Sequence, residues 1–169
     1  SDGDDLDGFG ESVAVSDSDG TALIGASSDS NSNGELAGAV YVYTEDRFTW
    51  SQQQKLTASD GDDGDGFGES VAMSDDGTTA LIGAGGGGDG DTGSAYVFTE
   101  NGGTWGQQQT LTASDGDDRE IFGASIAVSD SDDGMTALVG AEDIQLLINP
   151  VEPAGEGSDG EMDAGSVYV

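Results

Sequence analysis

The 169-residue chain sets 35 Asp and Glu against only Arg47, Lys55 and Arg119, a formal charge of -32. Nucleic acid and anionic membrane surfaces are excluded as partners, because binding to phosphate relies on Lys and Arg displacing condensed counterions. With no Cys and no His there are no disulfides, no thiolate nucleophile, no sulfur-bound zinc and no imidazole base, and no segment approaches the roughly 20 apolar residues of a membrane span.

The predicted elements are short and all of one kind. "SVAVS" (12–16), "TALIGA" (21–26), "AVYVYT" (39–44) and "WSQQQKLTA" (50–58) are rich in Val, Ile, Leu and Tyr and bounded by Gly, Asp, Ser and Asn. That is the punctuation of strands rather than helices. They are strands a to d of one four-stranded antiparallel sheet. "SVAMS" (70–74), "TALIGA" (79–84), "SAYVFT" (94–99) and "WGQQQTLTA" (105–113) make a second sheet, and "SIAVS" (125–129), "TALVGA" (136–141) and "GSVYV" (165–169) a third. Strands a, b and c read as apolar runs, as expected of strands covered on both faces; strand d, with its glutamines, belongs at the wetter outer rim.

The three sets are copies of one unit. Phe9, Phe67 and Phe122 recur at spacings of 58 and 55 residues, and Tyr41 and Tyr96, Trp50 and Trp105, and Leu56 and Leu111 each lie 55 apart. A four-stranded unit of about 50 residues, covered on both faces by its own copies, is a β-propeller blade. The expected architecture is all-β: a partial propeller of eleven strands in about three antiparallel blades, 1–58, 59–113 and 114–169, the last without its d strand. Single-chain propellers typically need at least four blades to close. A fragment of a larger ring is therefore expected, with an oligomer or an open arc as the alternatives. Ala14, Ala72 and Ala127 are small enough to let blades converge near an axis. Gly25, Gly83 and Gly140 either permit a close backbone approach or simply end strand b.

"FG" followed by "GA" at this spacing resembles the FG-GAP repeat of integrin alpha-subunit propellers and their prokaryotic relatives. Where the family motif ends in Pro, this chain has Ser27, Gly85 and Glu142. The resemblance implies a propeller at the cell surface or outside the cell, and a calcium loop between strands a and b. In the first unit Asp17, Asp19 and Gly20 match that loop, but Val15 and Leu23 replace its first and last acids; later units keep only Asp76 and Gly77, then Asp133 and Gly134. Abundant Asp with almost no Lys also resembles the proteins of extreme halophiles, with an acidic, calcium-loaded extracellular protein of ordinary salinity as the alternative. Ions must screen such a surface, and at about 1 M salt the screening length is roughly 3 Å.

Denser acids precede each "FG": Asp2, Asp4, Asp5 and Asp7; Asp60, Asp62, Asp63 and Asp65; Asp115, Asp117, Asp118 and Glu120. Calcium favours several oxygen ligands, and glycines between the acids would let the backbone fold around an ion; a solvated acidic face is the competing reading. The candidate calcium ligands are Asp17, Asp19, Asp60, Asp62, Asp63, Asp65, Asp115, Asp117 and Asp118. "GGGGDGDTG" (85–93) contains G-x-G-x-x-G, but a strand follows it and Asp89 would repel a pyrophosphate, which argues against a dinucleotide site.

The b–c loops differ most. Gly38 lies 12 residues after Ala26, Gly93 lies 9 after Ala84, and Gly165 lies 24 after Ala141. The long third loop carries Ile144, Leu146, Leu147, Ile148 and Val151, too apolar to be left in water and either a cap or a ligand-binding patch. The expected function is a non-catalytic recognition or adhesion module at a cell surface, with a protein or carbohydrate partner, self-association, or further blades of a parent chain. The alternative is the propeller domain of a secreted hydrolase whose catalytic module lies outside this chain.

Overall fold

The computed structural model describes residues 7–16, 18, 20–86, 92–114, 120–131, 134–143 and 166–168. Three antiparallel sheets follow one another along the chain. The first is β1 (Val13–Val15), β2 (Thr21–Ala26), β3 (Ala39–Asp46) and β4 (Thr49–Leu56), hydrogen-bonded in that order. The second repeats it with β5 (Ser70–Met73), β6 (Thr79–Ala84), β7 (Ser94–Glu100) and β8 (Trp105–Leu111). In the third, β10 (Gly134–Asp143) lies between β9 (Glu120–Ser131) and β11 (Ser166–Tyr168). No helix occurs among the described residues, and the all-β reading holds.

The repeat extends to register. Ile24 pairs with Tyr41 in the first sheet and Ile82 with Tyr96 in the second. Both c–d ladders slip at the same step, between Val42 and Tyr43 and between Val97 and Phe98. An extra residue kept at one place in each sheet bends and twists both alike, so the faces can stack on one another.

The core lies between sheets. Leu23, Val40, Val42 and Leu56 of the first pack against Phe67, Ile82, Tyr96, Phe98 and Trp105 of the second. Leu81 and Ala95 of the second meet Phe122, Val139 and Ala141 of the third. Strand d is wet as expected, with Gln52 and Gln53 exposed in β4.

Two expectations need correction. Strand a is not covered on both faces in the first sheet, where Val13 and Val15 are exposed: the described residues pack against only one face of that sheet. The third strand a is also much longer than "SIAVS": β9 runs back through Phe122, which pairs with Ala141. In the first two units the residue before Phe is a glycine with positive φ, Gly8 at +70° and Gly66 at +65°. Ile121 occupies that place in the third, and a β-branched residue keeps the segment extended.

Candidate functional site

The repeated "FG" and "GA" meet at the boundary between sheets. Within a unit, the Gly10 N–H donates to the Gly25 carbonyl at 2.9 Å, and the Gly68 N–H to the Gly83 carbonyl at 2.9 Å. Across the boundary, the Ser12 hydroxyl donates to the Gly68 carbonyl and the Ser70 hydroxyl to the Gly123 carbonyl, both at 2.7 Å. The "GA" glycine lies against the same carbonyl. A Cβ on Gly25 would stand 2.0 Å from Gly68 O, and one on Gly83 2.0 Å from Gly123 O. Gly10, Gly68 and Gly123 have φ of +92°, +95° and +95°, a region other residues rarely adopt. Of the two readings of Gly25 and Gly83, close backbone approach is therefore the one the fold uses.

The loops at this end of the sheets bind to the next unit as well. The Phe67 N–H donates to the Ala37 carbonyl at 3.0 Å, and the Phe122 N–H to the Thr92 carbonyl at 2.8 Å. Asp29 anchors the first b–c loop. Its Oδ2 accepts from the Tyr41 hydroxyl at 2.8 Å and from Lys55 Nζ at 2.9 Å, while its buried Oδ1 has no hydrogen-bond partner. The Lys55 ammonium also sits 5.2 Å from the centre of the Tyr41 ring, close enough for a cation–π contact. Burial, followed by the hydrogen bond to Asp29, pushes the Tyr41 phenol up to about 12.

In the second unit the loop before "FG" is built from its own carboxylates. Asp65, nearly buried, accepts the Asp62 N–H at 2.6 Å; Asp62 accepts the Asp63 N–H at 3.0 Å; Asp63 reaches back to the first unit and accepts the Glu35 N–H at 3.0 Å. Asp60, Asp62, Asp65, Ser94 and Tyr96 line a pocket of about 190 Å³. Burial, with the nearby Asp60 charge next, pushes the Tyr96 phenol up to about 12.

Of the expected calcium ligands, Asp60, Asp62, Asp63 and Asp65 thus come together in one loop, whereas Asp17, Asp19, Asp115, Asp117 and Asp118 lie outside the described residues. Among the described residues, no three acidic side chains are arranged to hold a metal ion. The a–b turn of the second unit is closed by Asp76, whose Oδ1 accepts from the Ser74 hydroxyl at 2.7 Å and from the Thr78 N–H and hydroxyl at 2.9 Å. Those bonds, the Ser74 hydroxyl first, hold its carboxyl below the usual range. The apolar patch of Ile144, Leu146, Leu147, Ile148 and Val151 also lies outside the described residues.

Sequence reasoning missed Asp29, Lys55, Ser12 and Ser70. Lys55 offered a signal: one of only three cations, it stands where the second unit has Thr110. The serines offered a weaker one, since Ser12, Ser70 and Ser125 recur two residues after each "FG".

Four-stranded antiparallel sheets, stacked face to face through the same locking contacts at successive boundaries, define a β-propeller-type module. The described residues form two complete blades and three strands of another. The FG-GAP repeat family matches the chain over residues 1–43, 50–98 and 105–169, and the chain belongs to that family. Repeats of this kind are typical of extracellular or cell-surface proteins. No curated protein matches the chain in a sequence comparison.

Proposed function

We propose that the chain is a non-catalytic recognition or adhesion module of an extracellular or cell-surface protein, similar in role to integrin alpha propellers and adapted to high salt. One contrast carries the reading: the blades repeat in register and in locking contacts, while their b–c loops differ in length and character. A rigid scaffold with divergent loops suits binding. The loop of residues 27–37 offers the recognition surface, and the apolar sequence from Ile144 to Val151 is a second candidate for ligand contact. The test is surface plasmon resonance in molar NaCl with the chain immobilised, using arrays of oligosaccharides and of extracellular-protein peptides as probes. Saturable binding that disappears when residues 27–37 are exchanged for the shorter second loop supports the reading. Absence of binding to either array, with glycan or peptide hydrolysis by a longer parent chain, would favour a hydrolase domain instead.

Calcium at the acidic loops is a companion proposal. Its support is the recurrence of the acids before each "FG" and the pocket that Asp60, Asp62 and Asp65 share. Binding there would require Asp62 and Asp65 to exchange backbone N–H partners for the ion. Calorimetry in high salt should show calcium heat that Asp62→Asn with Asp63→Asn removes; no heat from the unaltered chain ends the idea.

A further inference from the structure

Asparagine is followed by glycine at two places, Asn33–Gly34 and Asn101–Gly102. A glycine in that position has no side chain to shield its own nitrogen, which can therefore reach the side-chain carbonyl of the asparagine before it. The fold holds one of these pairs and frees the other. Asn33–Gly34 is clamped between the first two units. Asn33 Nδ2 donates to the Ala58 carbonyl at 2.7 Å and lies 2.8 Å from an ideal Cβ on Gly61, while the Gly34 N–H donates to the Asn31 carbonyl at 3.2 Å. Gly34 itself is pressed on Asp63, whose Oδ1 is 2.0 Å from an ideal Cβ. For its nitrogen to attack, Asn33 must release Ala58 and Gly34 must turn away from Asn31.

Asn101–Gly102 stands at the tip of the hairpin between β7 and β8, where residues 101–104 are all exposed. The Asn101 N–H closes the turn on the Thr104 carbonyl at 2.9 Å, with Gly102 and Gly103 at φ of +64° and +88°. A Cβ on Gly102 would meet nothing within 4 Å. Among the described residues, neither the Asn101 side chain nor the Gly102 N–H makes a hydrogen bond. The turn also touches the first blade. The Gly103 carbonyl accepts from Gln53 Nε2 at 3.3 Å, and the Gly103 N–H donates to the Glu100 carboxylate. Two residues on, the Gln54 amide binds both backbone groups of Trp105, each at 2.9 Å.

We propose that Asn101 is a site of spontaneous covalent modification, and that its conversion loosens the boundary between the first two blades while Asn33 is protected. The Gly102 nitrogen bonds to Asn101 Cγ, the bond from Cγ to the side-chain nitrogen breaks, and ammonia leaves with the proton that Gly102 gives up. Water then opens the cyclic imide at either of its carbonyls. Opening at the side-chain carbonyl leaves Asp at position 101 with an ordinary backbone. Opening at the main-chain carbonyl leaves isoaspartate, whose chain runs through the side-chain carbon and is one methylene longer. A two-residue hairpin loop fixes the register of its strands and has no room for an extra backbone atom. Lengthening it draws the Gly103 carbonyl off Gln53 and pulls on the Gln54 bridge to Trp105.

The test is to age the chain at mildly alkaline pH, folded in molar NaCl and unfolded in urea, and to follow the peptides carrying Asn33 and Asn101 by mass spectrometry, with isoaspartate separated by chromatography. In the folded chain Asn101 is expected to convert roughly tenfold or more faster than Asn33, because the hydrogen bonds that hold Asn33 and Gly34 must first open. In urea the two should convert at similar rates. The urea midpoint of the aged chain should fall. An equally aged Asn101→Gln chain, whose longer side chain does not form the five-membered ring readily, should keep its midpoint. Asn101→Asp adds the charge without the methylene, so the fresh variant should match the fresh unaltered chain. Equal conversion of Asn33 and Asn101 in the folded chain overturns the proposal. So does an Asn101→Gln chain that loses as much on ageing as the unaltered one, or a fresh Asn101→Asp midpoint as low as that of the aged chain.

Discussion

Lys55 Nζ lies 2.9 Å from Asp29 Oδ2, in a pair whose carboxylate side chain is only 3% exposed and whose lysine is 25% exposed. The ammonium reaches Asp29 from the last strand of the first blade and so ties the rim of the sheet to its b–c loop. Replacing Lys55 by Met leaves a buried carboxylate with the Tyr41 hydroxyl as its remaining side-chain donor. The expected loss in denaturant unfolding is about 2 to 3 kcal/mol, below the range for a fully buried pair because solvent still reaches the lysine. Asp29→Asn combined with Lys55→Met should lose less than the single change, since no charge is then left unpaired.

Tyr41 and Tyr96 are both pushed up to about 12 from 10.0. A phenol whose folded pKa is raised keeps its proton in the native state while the unfolded chain loses it. Its contribution is complete below pH 10 and falls as the pH climbs toward 12. Tyrosinate absorbance should therefore show these two of the four tyrosines ionising late, or only together with unfolding. Ionisation of all four near 10 with the sheet intact would contradict the burial of both rings.

Much of this fold is written in the sequence because one unit is written three times. Phe9, Phe67 and Phe122 fix the period, and the apolar runs between turn residues fix the strands. The locking role of Ser12 and Ser70 is not legible, because a serine reads alike whether it faces water or a carbonyl 56 or 53 residues away. Nor can the covering of Phe67 and the exposure of Phe9 be read from "DGFGESVA", which is identical in both units. Burial there depends on whether another sheet packs against that face, which the eight residues themselves do not record. The acidic loop was visible as a cluster, but the sequence does not reveal that Asp62, Asp63 and Asp65 bind backbone N–H groups.

The hairpin between β3 and β4 offers a stabilising change. Arg47 and Phe48 sit at φ of +57° and +118°, where the second blade uses Gly102 and Gly103 at +64° and +88°. Two-residue turns with positive φ favour Asn-Gly. Arg47→Asn with Phe48→Gly should raise stability by about 1 kcal/mol, and more for any strain relieved at Phe48. An unchanged or lowered melting temperature would count against strain at this turn.

Salt should govern the whole molecule. With -32 charges and three cations, circular dichroism in dilute, calcium-free buffer is expected to show weakened β structure that returns in molar NaCl or KCl. Full stability in dilute buffer would remove the support for salt adaptation.

The lock between "GA" and the following "FG" is best tested at Gly83. An added methyl would lie 2.0 Å from the Gly123 carbonyl and 2.3 Å from the Ser70 hydroxyl, whereas at Gly106 it would meet only the Gln108 amide at 3.7 Å. Unfolding of Gly83→Ala and Gly106→Ala should be compared by urea titration in molar NaCl. Gly83→Ala is expected to cost about 3 kcal/mol, because the blades must move apart or the carbonyl must shift. Gly106→Ala should fall within about 0.5 kcal/mol of the unaltered chain. Equal stability of the two variants would mean that blade contact does not depend on this close approach, contradicting the account.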